Sequence, residues 1–239
     1  MPASSRPLLH RWDLPPQQAE ALQRELAARI VEGPPLGDVH LVAGVDVGIR
    51  DDLARAAVVV LTYPDLRPIE QATYEGPVTF PYIPGLLAFR EAPAVLAAID
   101  RLKHQPDVFI IDGQGRAHPR HFGIACHVGL WLERPTIGCA KSRLYPYYSP
   151  GQEPEPGPNS GDRVPLLDRG EVIGMVVRTR PGTKPLYISV GHRIDLDSAV
   201  RFVLNCVRGY RLPEPTRLAH RVAAGETVVP SAQQPTLFD

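Results

Sequence analysis

The sequence is poor in the features that would place it in several common classes. Its three cysteines, Cys126, Cys139 and Cys206, are odd in number and never spaced as Cys-x-x-Cys. That pattern argues against a disulfide framework or a zinc knuckle and leaves them as small core residues. The longest apolar runs, such as Ala56 to Leu61, fall far short of the ~20 residues of a membrane span. The N-terminus lacks the basic-then-apolar pattern of an export signal, so no membrane contact and a cytoplasmic location are expected. Neither sign of charge is in excess: 26 basic and 26 acidic side chains over 239 residues argue against a polybasic coat. A balanced total can still hide an acidic centre inside a basic rim. Lysine is scarce, with Lys103, Lys141 and Lys184 the only ones among the basic residues.

What is present describes a globular chain. With 44% hydrophobic and 22% charged residues, the length suits one large domain, taken as residues 1–225, followed by a flexible tail at 226–239. Twenty glycines and 27 prolines stay below the roughly 25–30% that marks low-complexity chains and predict many fixed loops.

The periodicity orders the elements. Ala19, Leu22, Leu26 and Ile30 recur at three and four residues and predict an amphipathic helix from Pro15 to Glu32. Leu41 to Val47, Arg55 to Tyr63 and Arg67 to Tyr74 read as an antiparallel meander broken at Arg50-Asp51-Asp52 and Pro64-Asp65. A helix from Leu86 to Leu102 must accommodate Pro93 by a kink or a fresh start. A buried strand at Asp107–Ile111, a helix at His121–Leu132 and a strand at Thr136–Cys139 follow. The proline-rich stretch Tyr145–Asp162 reads as an exposed loop. Then come a hairpin around Arg169-Gly170, a strand at Leu186–Val190 and a helix at Asp195–Val207. The expected fold class is α/β, a mixed central sheet joining an antiparallel meander to parallel strands and flanked by helices.

Three acids stand out. Asp46 interrupts the apolar strand Val42 to Val47. A charge there needs a partner, a raised pKa or a metal ion; the simpler alternative is a turn-capping aspartate. Asp112 ends the strand Val108 to Ile111, where open α/β sheets place ligands. Glu91 sits on a helix otherwise populated by Leu86, Leu87, Phe89 and Val95, and taken alone it reads as an exposed carboxylate beside Arg90. Together the three suit a hard divalent cation.

The blocks Val45-Asp46-Val47-Gly48, Pro81-Tyr82-Ile83-Pro84-Gly85-Leu86-Leu87-Ala88-Phe89-Arg90-Glu91, Asp112-Gly113-Gln114-Gly115-Arg116-Ala117-His118-Pro119-Arg120, Gly138-Cys139-Ala140-Lys141-Ser142 and Ser189-Val190-Gly191-His192-Arg193 resemble, in order, those of endonuclease V. The resemblance covers about residues 15 to 222. It implies a ribonuclease H-like fold and an enzyme that nicks DNA at deoxyinosine, hydrolysing the second phosphodiester bond 3′ to the lesion with Mg2+, for which Mn2+ can substitute. It assigns Asp46 and Asp112 as metal ligands, Glu91 as the catalytic glutamate and a further candidate ligand, and Lys141 as a cation beside the attacked phosphate. His220 falls where the family carries aspartate or histidine near the metals. Pro81, Tyr82, Ile83 and Pro84 match its strand-separating wedge, and Gly85, Leu87, Gly113 and His118 are the candidates for the lesion pocket. Inosine in RNA or in single strands is the alternative substrate, and a non-cleaving inosine binder is the alternative from another class.

Two expectations concern partners. From Arg201 to Arg221 the chain has Arg201, Arg208, Arg211, Arg217 and Arg221 against Glu214, a local charge of +4, which marks these arginines for phosphate contacts or else for a solvated face. Gln234-Pro235-Thr236-Leu237-Phe238 resembles the Gln-x-x-Leu-Phe peptide by which bacterial DNA enzymes dock on the replication sliding clamp, with Gln234, Leu237 and Phe238 as anchors.

Overall fold

The computed structural model describes residues 9–144 and 155–229. The clamp-like peptide and residues 145–154 of the proline-rich loop lie outside the described residues.

Eight strands form one sheet in the order β3-β2-β1-β4-β5-β8-β7-β6. The meander is β1 (Leu41–Arg50), β2 (Leu53–Thr62) and β3 (Pro68–Pro77). Its first hairpin turns on Asp51 and Asp52, both at positive φ. That is the two-residue turn whose twist matches a right-handed ladder, and aspartate tolerates it better than most residues. β4 (Val108–Ile111) and β5 (Thr136–Ala140) join parallel to β1. β6 (Arg163–Asp168), β7 (Glu171–Val177) and β8 (Leu186–His192) extend the sheet antiparallel. Arg169 and Gly170, again both at positive φ, close the β6–β7 hairpin where expected. The mixed α/β architecture anticipated from the sequence is therefore present, with the C-terminal ends of the three parallel strands side by side.

Helices cover both faces. α2 (Leu87–Ile99) and α3 (Ile124–Leu132) pack on one, through Ala43, Val45, Phe109 and Ile111. α4 (Leu196–Asn205) packs on the other, through Val42, Ile110, Ile137 and Ile188. Asp195 caps α4 by accepting the Ser198 N–H at 2.8 Å. α1 (Pro16–Ala27) lies over two satellite clusters around Phe89 and Phe122.

Some boundaries differ from expectation for local reasons. α1 ends five residues early, because the chain leaves it to place Glu32 in a bridge with Ile194 and the Val31 N–H on His192. α3 starts at Ile124 rather than His121, whose positive φ is incompatible with a helix. α2 runs through Pro93 as one element.

The sequence reading missed one helix altogether. α5 (Glu214–Ala223) lies within the segment read above for its basic charge. Its signals were present: prolines at the start, an acid in the first turn, His220 and Arg221 in the last, and Leu218, Ala219 and Val222 on one face. Past it, Arg221 grips Glu226, and Gln71 on β3 accepts the Val228 and Val229 N–H groups, so the first residues of the expected tail are held against the sheet.

Candidate active site

Alternation along β1 decides which way Asp46 faces. Val45 points to α2 and α3, whereas Gly44 and Gly48 lie under α5, so Asp46 shares the α5 side. Asp112 is the residue that follows β4, and its N–H continues the ladder by donating to the Val45 carbonyl at 2.9 Å. This parallel register sets the two carboxylates next to each other. α5 then delivers His220, whose Nδ1 lies 2.6 Å from Asp46 Oδ2. One donor atom from each of Asp46, Asp112 and His220 falls within 4.8 Å of the others, the one such group of metal-capable side chains among the described residues.

A cleft of about 550 Å3 is lined by Asp46 and Asp112 of this group, and Glu91, Lys141, Tyr82, Pro84, Leu87, Gly113 and His118 share its walls. Glu91 comes from α2 on the other face of the sheet and stands outside the close triad. The Lys141 ammonium pairs with Asp112. Two carboxylate oxygens and an imidazole nitrogen are a donor set that fits Mg2+ or Mn2+, with the nitrogen favouring the latter.

The electrostatics are those of acids crowded away from water. Burial, then the charges of Asp46 and Asp112, push Glu91 up to about 8, against the pull of Arg90. Burial and Asp46 push Asp112 up to about 6, although Lys141 and His220 pull it down. An acid whose value is higher folded than unfolded holds its proton better in the folded chain. The metal-free protein therefore loses stability as pH rises from the ordinary value of 4.5 through about 8. Glu91→Gln should raise the melting temperature in chelator at pH 8, by on the order of 1–3 kcal/mol of stability, with the gain fading towards pH 5. A melting curve indifferent to this substitution at pH 8 would mean Glu91 is not held among like charges.

Pro81 to Pro84, the residues expected to form a wedge, lie on a braced loop. Tyr82 is 71% exposed at the mouth of the cleft, and Pro81 and Pro84 are exposed on either side. Ile83 instead packs towards Phe80, Leu86 and Phe89. Arg90 ties down the near root by donating to the Phe80 carbonyl at 2.8 Å. At the far root the Gly85 carbonyl accepts from Gln23 Nε2 at 3.1 Å, His118 Nε2 at 2.9 Å and Arg120 Nη2 at 2.7 Å.

Of the residues expected to line a lesion pocket, Leu87, Gly113 and His118 do face the cleft. At Gly113 a Cβ would lie 2.5 Å from the Ile124 side chain, so only glycine fits without displacement. Gly85 is buried behind the wall, its carbonyl turned to the three donors above. Burial pushes the His118 pKa down to about 3, so the ring is neutral. Its Nε2–H donates to Gly85, and its Nδ1 accepts the Arg120 N–H at 3.1 Å.

Gln23, Gln114 and Arg120 belong to this site and were not singled out from the sequence. Gln23 carried a signal: it sits between Ala19 and Leu26 on the apolar face of α1 and is 1% exposed. The five arginines fare differently. Arg217 pairs with Glu214 and lies over Tyr210, and Arg221 pairs with Glu226. Arg208 donates to the Asn205, Val207 and Pro64 carbonyls. Arg201 donates to Ser198 Oγ and borders a separate hollow beside Leu36–His40 and Tyr63-Pro64. Arg211 donates to carbonyls near the cleft.

Known proteins share both the sequence and the fold. The family model for endonuclease V matches residues 24–221. An endonuclease V from Gloeobacter violaceus is 51% identical over 232 residues, covering 95% of this chain and 91% of its own. The crystal structure of endonuclease V from Streptomyces avermitilis superposes with a TM-score of 0.82 at 42% identity, covering 89% of this chain and 93% of its own. The Ciona intestinalis enzyme, solved in complex with a 23-mer DNA containing an inosine followed by a ribo-adenosine, has a TM-score of 0.77 at 27% identity, covering 88% and 97%. On the family match and these identities, the chain belongs to the endonuclease V family.

Proposed function

We propose that this protein nicks DNA at deoxyinosine, hydrolysing the second phosphodiester bond 3′ to the lesion. The observation that carries this reading is the meeting of Asp46, Asp112 and His220 donor atoms within 4.8 Å, beside a cleft that the two aspartates line and that bears an exposed tyrosine. The inosine-containing DNA bound by the Ciona intestinalis relative supports it.

Asp46, Asp112 and His220 would hold a divalent cation, which when bound would supply Lewis-acid chemistry at the attacking water and the phosphate. The chain's own groups supply the rest. Lys141 offsets charge on the phosphate, and Glu91, its value raised by burial and then by its acidic neighbours, can hold or release a proton near the scissile group. Water adds to phosphorus and the P–O3′ bond breaks, leaving a 5′-phosphate and a 3′-hydroxyl. Tyr82, on a loop braced at both roots, fills the gap left in the stack when the base turns out, a step that costs less for a poorly paired base. The narrow wall at Leu87, Gly113 and His118 reads the edge of hypoxanthine and leaves no room for the 2-amino group of guanine.

The test uses end-labelled duplexes carrying one deoxyinosine, one inosine ribonucleotide or neither, with Mg2+, Mn2+ or chelator. A cation-dependent nick one nucleotide beyond the deoxyinosine supports the proposal. Cleavage of inosine in RNA alone would move the function to RNA, and tight binding with no cut under any cation would make the protein a marker of inosine. In the same assay Tyr82→Ala should leave the melting temperature unchanged, because the ring is mostly exposed. It should raise KM for the inosine duplex by about tenfold or more, the equivalent of one lost base–aromatic stack. An unchanged KM would remove the wedge role.

A further inference from the structure

Lys141 owes its place to the sheet only in part. β5 ends at Ala140, which pairs with Tyr187 as the last step of the β5–β8 ladder. Lys141 and Ser142 thus lie one and two residues beyond the ladder, and the side chain that must meet Asp112 hangs from a four-carbon stem. A stem of that length places its ammonium only as well as its backbone is placed.

Two side chains from separate elements hold that backbone. Arg211, in the connection from α4 to α5, donates through Nη2 to the Lys141 carbonyl. The same Nη2 reaches the Pro185 carbonyl at 2.9 Å, and Nε reaches the Lys184 carbonyl at 2.8 Å. Residues 184 and 185 immediately precede β8, so one guanidinium bridges the two strand ends where the ladder stops. Arg211 is itself anchored, since Thr179, 2% exposed, donates its hydroxyl to the Arg211 carbonyl at 2.6 Å. Gln114, 8% exposed in the loop after β4, donates Nε2 to the next carbonyl, that of Ser142, at 2.8 Å. A guanidinium whose Nε and Nη2 are already occupied by three carbonyls does not offer that edge to a phosphate.

We infer that Arg211, together with Gln114, is a positioning residue for Lys141 and not a contact to the DNA backbone. The two side chains fix the two residues that follow β5 and so set the distance between the Lys141 ammonium and the phosphate under attack. This rests on the nicking reading proposed above. Arg211→Lys is not conservative here, because a single ammonium cannot span three carbonyls held in a fork.

The test is a double-mutant cycle on the inosine duplex, with salt dependence measured beside it. Arg211→Gln should lower kcat by about 10–100-fold at unchanged KM, the scale of a misplacement of about 1 Å. In a Lys141→Ala background the same change should add no more than about twofold, because residues that act through one another are not additive. The slope of log Kd against log salt should stay at its wild-type value, whereas losing a phosphate contact lowers it by about 0.9. If Arg211→Gln does not fold, Arg211→Lys and Gln114→Ala carry the same cycle and the same expectation. An additive loss in the Lys141→Ala background, or a salt slope reduced by one contact, overturns the positioning role while wild-type nicking stands. Absence of nicking by the wild-type chain overturns the nicking proposal and this inference together.

Discussion

Replacing Asp46 or Asp112 by asparagine is expected to lower kcat for inosine nicking by about 10³-fold or more, since the cation site contributes several kcal/mol at about 1.4 kcal/mol per tenfold. Asparagine keeps the shape of the side chain. At position 46 the amide oxygen can still accept the Val47 N–H, which the aspartate accepts at 2.9 Å, so the β1 backbone has no reason to move. What is lost is the charge that faces His220 and Asp112. Binding should survive, because removing a negative group beside a phosphate does not weaken its approach. The Kd for an inosine duplex in chelator should therefore stay within a few-fold of wild type while the nick disappears. Nicking within tenfold of wild type in either variant would show that the three-residue group is not where the chemistry occurs.

Gly44→Ala should cost about 3 kcal/mol or more of stability, at the upper end of overpacking effects. Gly44 lies mid-strand, opposite Val59 and Ile110, and faces α5. A Cβ there would sit 1.9 Å from the Pro215 carbonyl oxygen, 2.1 Å from its carbon and 2.7 Å from the Thr216 nitrogen. All three are backbone atoms, and none can rotate away. The helix would have to retreat from the sheet, taking with it the buried side chains of Leu218, Ala219 and Val222 and drawing His220 away from Asp46. Gly48→Ala is the control: four residues along the same face, its Cβ would meet the Ala223 carbonyl oxygen at 3.5 Å, an ordinary contact. Denaturant unfolding compares the two. Equal stabilities for Gly44→Ala and wild type would mean that α5 does not lie against β1, and the placement of His220 would fall with it.

These two substitutions mark the line between what one strand of sequence can show and what it cannot. Asp46 was legible because a carboxylate in an apolar, β-branched run contradicts its surroundings, and such contradictions are where function collects. Gly44, two residues earlier, was not: a glycine in a strand has several ordinary explanations, and the backbone that requires it comes from 171 residues further along the chain. Arg211 shows the same limit from the opposite side. Counting charge from Arg201 to Arg221 is a one-dimensional operation, and it registers neither the carbonyls that occupy Arg211 nor Glu226, which lies just beyond the window and pairs with Arg221.

By itself the sequence determined the family, the meander and the parallel strands beside it, and the tight hairpin at Arg169-Gly170, and it nominated three acids for a site. Each of these rests on local pattern: alternation, turn chemistry, or a run of residues in a recognisable order. Only the tertiary structure decided that Asp46 and Asp112 become neighbours through the parallel register of β1 and β4, that α5 exists and carries His220 to them, and that Gln23, Arg120 and His118 converge on one carbonyl at the root of the Tyr82 loop. The physical reason is the same throughout. Hydrogen bonds and charge interactions act over a few ångströms in space, and residues 46, 112 and 220 reach that distance only when the buried faces of the sheet and helices have fixed where each strand ends.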